Sequence, residues 1–422
     1  MPGSAMKSAS GEILIFCLTL LIAFGGKVTA EPISGPDVRL PTGTIRFAIS
    51  PSLFAEKPPS LSAVRDPIGM VERAAERWRA VSALRIDFQR TQALSVSPSG
   101  PRGDRISLIT AAATAENLAL FPEGEKSPPA ITRVFFNNLG HITEADIALN
   151  PFVRFSDTAG DGIDLEAVLT HEIGHAIGLE HSAAPTSIMN PAFYSATAGF
   201  SGAVRLAEMD KSAARGKYGP AGDSTTECCS AIIGTIAATS GQKLEADIWV
   251  EDAFGRLIAY TRSSSEGVFA LRGLEVGTYS VYAQAPEAGY PAMEIAGLRQ
   301  ISSGEVVQLR GRLESATDLA NVRLFGFNAG LSRRPIILSA GLNGQLFLHG
   351  DAIKGGQIAV GFSTAAISAL NNSRFEADFD QSVSAVVVPI FVNLKVEAGE
   401  FNFFVQNAEL KRVYCIGCVK IQ

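Results

Sequence analysis

The sequence predicts a multidomain chain: an α+β domain organised around one histidine-bearing helix, followed by two all-β sandwich domains. Three observations carry this. Up to about residue 220, strand-like alternation is mixed with apolar stripes at helical spacing. The stretch from Pro220 to Thr226 (PAGDSTT) is a hinge by composition, and beyond it the texture changes to short alternating segments punctuated by glycine. Three of the chain's five histidines fall between positions 171 and 181. The boundaries expected are 1–30, a leader; 31–222, the α+β domain; 227–313, the first sandwich; and 314–422, the second.

The leader reads as a secretory signal. Lys7 supplies the positive end, Ile13 to Phe24 is an apolar run too short for a comfortable membrane span, and Val28-Thr29-Ala30 is a small-residue cleavage site before Glu31. With no further apolar run of spanning length, a stable membrane span is not expected and the location is secreted, extracellular or periplasmic. The formal net charge of −6 carries no basic block, so nothing favours nucleic acid. Cys17 leaves with the leader. Cys228, Cys229, Cys415 and Cys418 remain, an even number in an exported chain, so disulfides are expected and three pairings exist. The preferred pairing joins 228/229 to 415/418 and staples the C-terminus to the start of the second domain. A redox pair at Cys415/Cys418 and a four-cysteine zinc site are the competing readings.

Within the first domain, Thr42 to Ser50 alternates like a strand. Pro67 to Ala80 places Met70, Val71, Ala74, Ala75 and Trp78 on one helical stripe that should pack on a sheet. Leu84 to Gln89 and Arg105 to Ile109 are further strands, and Ile131 to Phe136 with Ile142 to Asn150 make a pair around Asn138-Leu139-Gly140. An acidic, glycine-containing loop, Asp157 to Asp164, precedes a helix from Leu165 to Ile177, with Asp164 as its N-cap. Leu206 to Tyr218 is a last helix stopped by Gly219.

The chemistry sits in His171-Glu172-Ile173-Gly174-His175-Ala176-Ile177-Gly178-Leu179-Glu180-His181. Four residues apart on a helix, His171 and His175 stack on one face. On a continued helix His181 would point away. Gly178 can adopt a left-handed conformation, end the helix and turn the chain back, so that His181 completes a three-nitrogen site. Three protein ligands with one open position suit a catalytic zinc. Glu172 is then placed to take a proton from water and pass it to a leaving amine.

This HExxHxxGxxH pattern, followed by Ser187-Ile188-Met189-Asn190-Pro191, resembles the metzincin metalloproteases and specifically the matrixin (M10-type) branch. The resemblance covers roughly residues 40 to 220. It implies an α+β metzincin domain, a twisted mixed β-sheet plus an active-site helix. It also implies one catalytic Zn2+ on His171, His175 and His181, Glu172 as general base, and Met189 in the Met-turn beneath the metal. It further implies a protein or peptide substrate laid antiparallel on an edge strand, for which Ile131 to Phe136 is the candidate. Pro191 and Phe193 are candidate pocket residues, and Tyr194 is a candidate pocket wall or oxyanion donor. The chain departs from the family in several ways. With only His141 and His349 to spare, a second, structural zinc is not expected. No cysteine lies between Glu31 and the domain to act as a latency switch, and a folded pro-domain is not expected. Ca2+ is a candidate at Asp157, Asp161 and Asp164, although the spacing is not that of an EF-hand.

Beyond the hinge, segments 231–238, 246–252, 257–261, 267–271 and 277–285 read as strands at sandwich spacing. The run from Glu266 to Leu274, then Gly277-Thr278-Tyr279, resembles the carboxypeptidase regulatory-like domain and implies an accessory module without chemistry of its own. Strands recur at 322–327, 335–339, 345–349, 357–362, 384–391 and 400–406. Asn371-Asn372-Ser373 matches a glycosylation sequon. The function expected is a secreted zinc endopeptidase whose β domains position it on a surface or matrix component. The competing reading is an adhesion or matrix-binding protein that keeps the protease fold as a scaffold.

Overall fold

The computed structural model describes residues 37–98, 103–157, 162–192, 204–222, 228–354, 357–371, 374–377 and 384–422. The expected leader, Asp161, Phe193, Tyr194 and most of the sequon lie outside the described residues.

A five-stranded mixed sheet forms the framework of the first part. Its strands are β1 (Thr44–Ile49), β2 (Arg85–Arg90), β3 (Ser107–Thr110), β4 (Ala130–Phe136) and β5 (Ile142–Leu149), in the order β2-β1-β3-β5-β4. All pairings are parallel except that of β4, which is antiparallel to β5 and outermost. Helix α1 (Pro67–Arg79) starts on Asp66, whose side chain accepts from Gly69 N at 2.9 Å, and the expected stripe from Met70 to Trp78 is buried. A one-turn helix, α2 (Ala115–Leu118), follows β3. Short strands β6 (Phe155–Ser156) and β7 (Ile163–Asp164) pair in parallel just before the histidine helix, α3 (Leu165–Ala176). The Trp78 indole donates to Thr170 O at 2.9 Å and so pins α1 to α3. Helix α4 (Glu208–Tyr218) ends at Gly219, whose φ is +80°. One core joins the sheet to α1 and α3, with Phe47, Ile86, Ile147, Trp78, Leu169 and Ile173 fully buried.

Two further sheets follow. Strands β8 (Ser230–Ala238), β9 (Asp247–Asp252), β10 (Leu257–Arg262), β11 (Val268–Leu274), β12 (Gly277–Ala285), β13 (Tyr290–Ile301) and β14 (Val306–Leu313) divide into β10-β9-β12-β13 and β11-β8-β14. Ile248 and Val281 from the one sheet and Ile232, Phe269 and Val307 from the other share a core. The C-terminal strands are β15 (Asn321–Phe327), β16 (Ala329–Ser332), β17 (Ile336–Leu338), β18 (Asn343–Asp351), β19 (Ala359–Phe362), β20 (Ile367–Ala369), β21 (Arg374–Ala377), β22 (Ser384–Val392), β23 (Gly399–Gln406) and β24 (Arg412–Ile421). They form a six-stranded sheet around β18 and β22 and a four-stranded sheet β17-β24-β23-β19. Leu346, Val386, Phe401, Phe403 and Val419 meet between these two sheets. Strands β6, β7, β13, β14, β16, β20, β21 and β24 were not expected from the sequence. β13 has half its residues exposed in consecutive runs rather than in alternation, and β24 is interrupted by Gly417.

The expected cross-bridge between the cysteine pairs is corrected. Cys228 bonds Cys229, and Cys415 bonds Cys418. The reason is placement: Cys228 and Cys229 enter β8 of one sheet beside α4, whereas both C-terminal cysteines lie on β24 of another, where their Cα atoms are 5.6 Å apart. Peptide mapping without reduction should find both local bridges and no peptide linking the 228/229 and 415/418 segments.

A buried acid lies where β9 meets β23. Glu251 Oε1 accepts from the Trp249 indole at 2.9 Å and from Asn402 Nδ2 at 2.6 Å, and burial pushes its carboxyl up to about 7. The folded state therefore holds a proton that the unfolded chain releases near pH 4.5. The associated stability is complete below that value and is lost as pH rises through about 7. A glutamine oxygen can accept both hydrogen bonds without ionising. Glu251→Gln should match the parent near pH 4 and exceed it at pH 8 by up to about 3 kcal/mol, read from urea midpoints at the two pH values.

Candidate metal centre

The three histidines converge. His175 Nε2 lies 3.0 Å from His171 Nε2 and 3.2 Å from His181 Nε2. A tetrahedral zinc with Zn–N bonds of about 2.05 Å would hold such nitrogens about 3.3 Å apart, so the donor set fits that ion with little adjustment. Among the described residues this is the cluster of three metal-ligating side chains within ligand reach. His141, at the turn before β5, and His349, on β18, are not part of it.

Local chemistry aims the rings. Asp164 caps α3 by accepting from Ala167 N at 3.1 Å. At the other end Gly178 takes φ +82°, and Leu179 N donates to Gly174 O at 2.9 Å, which turns the chain back towards the helix. A side chain at Gly178 would also collide with Val38 O, 2.2 Å from an ideal Cβ. The far nitrogens of two rings are engaged. His171 Nδ1 is 2.7 Å from Ile188 O and His175 Nδ1 is 2.9 Å from Leu179 O, so each ring presents Nε2 to the centre. Burial and neighbouring imidazoles hold His171 well below its ordinary pKa and bring His181 down to about 3, which keeps both neutral, the ligating form.

Met189 is 2% exposed and packs against α3 at Gly174. Its Sδ is 2.4 Å from the position a Cβ would take at Gly174, so the glycine inside the motif makes room for the methionine. Glu172 is 3% exposed, and the Thr132 hydroxyl on β4 reaches its Oε2 at 2.5 Å. Pro191 follows immediately after this turn, with Ala192 N donating to Asn190 Oδ1 at 2.9 Å.

Of the calcium candidates, Asp157 and Asp164 are among the described residues. Asp157 accepts from Arg65 N and Nε at 3.1 and 2.9 Å, and Asp164 is the helix cap. Both carboxylates are engaged within the protein.

Three supporting residues were missed from the sequence. Thr132 orients Glu172. Tyr218 donates to Ile177 O at 2.5 Å, satisfying a carbonyl left open at the end of α3, and accepts from Leu40 N at 3.0 Å. Asp210 on α4 accepts from Ser187 Oγ, from Ile188 N at 3.0 Å and from Ala207 N at 2.9 Å, and thereby fixes the loop around Met189. The only sequence signal for Asp210 is an acid at the start of an amphipathic helix, where a capping role is the ordinary inference. Asp210→Ala leaves two buried N–H groups without their acceptor and should cost about 3 kcal/mol, against about 1 kcal/mol for Ser187→Ala. Equal losses in urea titrations would contradict this ranking.

Comparison with known proteins agrees with this geometry. Residues 111–219 match the family model described as Peptidase_M10, Matrixin. Matrix metalloproteinase-25 of Mus musculus is 48% identical over 65 residues, 15% of this chain and 10% of that protein. Its Homo sapiens counterpart is 46% identical over 67 residues, 16% of this chain and 12% of that protein. Matrilysin of Felis catus is 50% identical over 40 residues, 10% of this chain and 15% of that protein. The chain thus spans between a tenth and about a seventh of the length of these relatives. A chlorocatechol 1,2-dioxygenase structure from Pseudomonas putida aligns with 22% of this chain and 63% of that one, at 13% identity and a TM-score of 0.18, too low to bear on the fold. No helix among the described residues is long and apolar enough to cross a membrane. The segment that carries His171, His175 and His181 is therefore similar to the matrixin (M10-type) domain.

Proposed function

We propose that the protein is a secreted zinc-dependent endopeptidase, with His171, His175 and His181 as ligands and Glu172 as general base. The observation that carries this is the convergence of three imidazoles beside a buried glutamate. Zinc bound there supplies a water acidified towards a pKa of about 7 and polarises the scissile carbonyl. The chain's own residues do the rest. Glu172 accepts the proton of the attacking water and returns it to the leaving amine nitrogen. The Thr132 hydroxyl fixes the carboxylate that performs this transfer. Ile188 O and Leu179 O hold the imidazoles in the tautomer that leaves Nε2 unprotonated. An extended peptide is read as adding antiparallel to β4, the outermost strand, with Pro191, Phe193 and Tyr194 walling the side-chain pocket. In the same reading residues 1–30 are a signal peptide, 31–222 a metzincin domain, and 227–313 and 314–422 two β-sandwiches that position the enzyme on a surface or matrix component.

A scaffold without activity has no need of a general base, and the Glu172 carboxylate is both present and oriented. The test uses casein and a peptide library. Glu172→Gln should retain one zinc and lose about 10³-fold in turnover, whereas His175→Ala should lose the metal. Activity that survives a chelator, or that is unchanged in Glu172→Gln, would sink this mechanism.

A further inference from the structure

The loop between the third histidine and Met189 touches more than its own domain. It runs through Ala184, Thr186 and Ser187, all buried. Thr186 N donates to Gly417 O on β24 at 3.1 Å. Two residues later, Ile188 O meets His171 Nδ1. One strand of backbone thus links the C-terminal sheet to a ring of the metal centre.

The β24 side of this contact is a purpose-shaped bulge. Phe401 pairs with Val419 and Phe403 with Cys415, so three residues of β23 face five of β24 and the extra chain is looped out. Ile416 and Gly417 form the tip, and the Cys415–Cys418 disulfide closes its base. Gly417 has φ +61°, and its N–H donates to the buried Asn402 Oδ1 at 2.7 Å. An ideal Cβ there would lie 2.7 Å from Ala184 Cβ and 2.8 Å from Thr186 Oγ1. Around the tip, Ile416 packs in one apolar cluster with Ala184, Ala207 and Met209 of the first part and with Trp249 and Leu257 of the second.

We propose that the Cys415–Cys418 bulge is a positioning element of the metal centre. It braces the loop carrying Ile188 and Met189, so that metal affinity in the first domain depends on a docked C-terminal sheet. This rests on the metal-centre reading above. The bulge touches neither ligand nor substrate and acts through the Thr186–Ile188 backbone on the orientation of His171. The disulfide contributes by restricting the looped-out residues to the conformation that fits against Ala184.

The full-length protein tests this through zinc affinity, measured by competition with a chromophoric chelator. Gly417→Ala should weaken zinc binding about tenfold or more, the scale seen when residues behind metal ligands are altered. Adding Ala184→Gly should recover at least threefold of that loss. Gly330→Ala serves as control, because Gly330 lies in the same C-terminal part with φ +67° and nothing within 4 Å of its Cβ position. It carries similar backbone strain without the contact and should leave zinc affinity unchanged. If Gly417→Ala does not fold, the paired substitution Cys415→Ser and Cys418→Ser reads the same brace, again as a weakening of about tenfold. Zinc affinity within twofold of the parent in the folded bulge variant overturns the proposal, as does an equal loss in Gly330→Ala or the absence of recovery with Ala184→Gly. Failure of the parent itself to bind zinc overturns the metal-centre reading and this one with it.

Discussion

One reversal of the backbone decides whether the three imidazoles meet. Past Ala176 the helix would carry His181 round to the far side of α3. The left-handed turn at Gly178 sends it back, and the bond from Leu179 N to Gly174 O fixes the angle of return. The same turn places Leu179 O 2.9 Å from His175 Nδ1, so the reversal that redirects the chain also orients the His175 ring. A β-carbon at Gly178 would be opposed twice, by the left-handed backbone and by Val38 O. The convergence of the three imidazoles is therefore governed by a residue with no side chain of its own.

Around Gly174 the protein is packed without slack. Gly174 lets Met189 approach α3, and Trp78 closes the same space from α1, with an aromatic carbon 3.1 Å from the Gly174 Cβ position. The Trp78 indole is hydrogen-bonded to Thr170 one residue before His171. Core packing and the placement of the histidine rings consequently share contacts, and close-packed interiors transmit displacement rather than absorb it.

What was readable in the sequence follows from distance along the chain. The four-residue spacing of His171 and His175, the Gly178 turn and the Asp164 cap are local, and one helix determines them. The strands of the first part were legible as alternation, with β1, β2, β4 and β5 within two residues of expectation at each end. Thr132, Asp210 and Tyr218 were not, because each acts on a residue 22 or more positions away and nothing in its own neighbourhood marks that distant contact. The disulfide pairing failed for a related reason: four cysteines do not reveal which strands lie side by side. It took the bulge on β24 to bring Cys415 and Cys418 together within one strand.

The apolar cluster where the three parts touch bears on how this chain can be divided. Ala184, Ala207 and Met209 are all but inaccessible, and their neighbours there include Trp249 and Leu257 from beyond the hinge and Ile416 from the last strand. Cutting at residue 222 would turn that inner surface outward. An isolated N-terminal fragment would present greasy side chains to water beside the histidine loop, and its poor behaviour in solution would say little about the intact molecule.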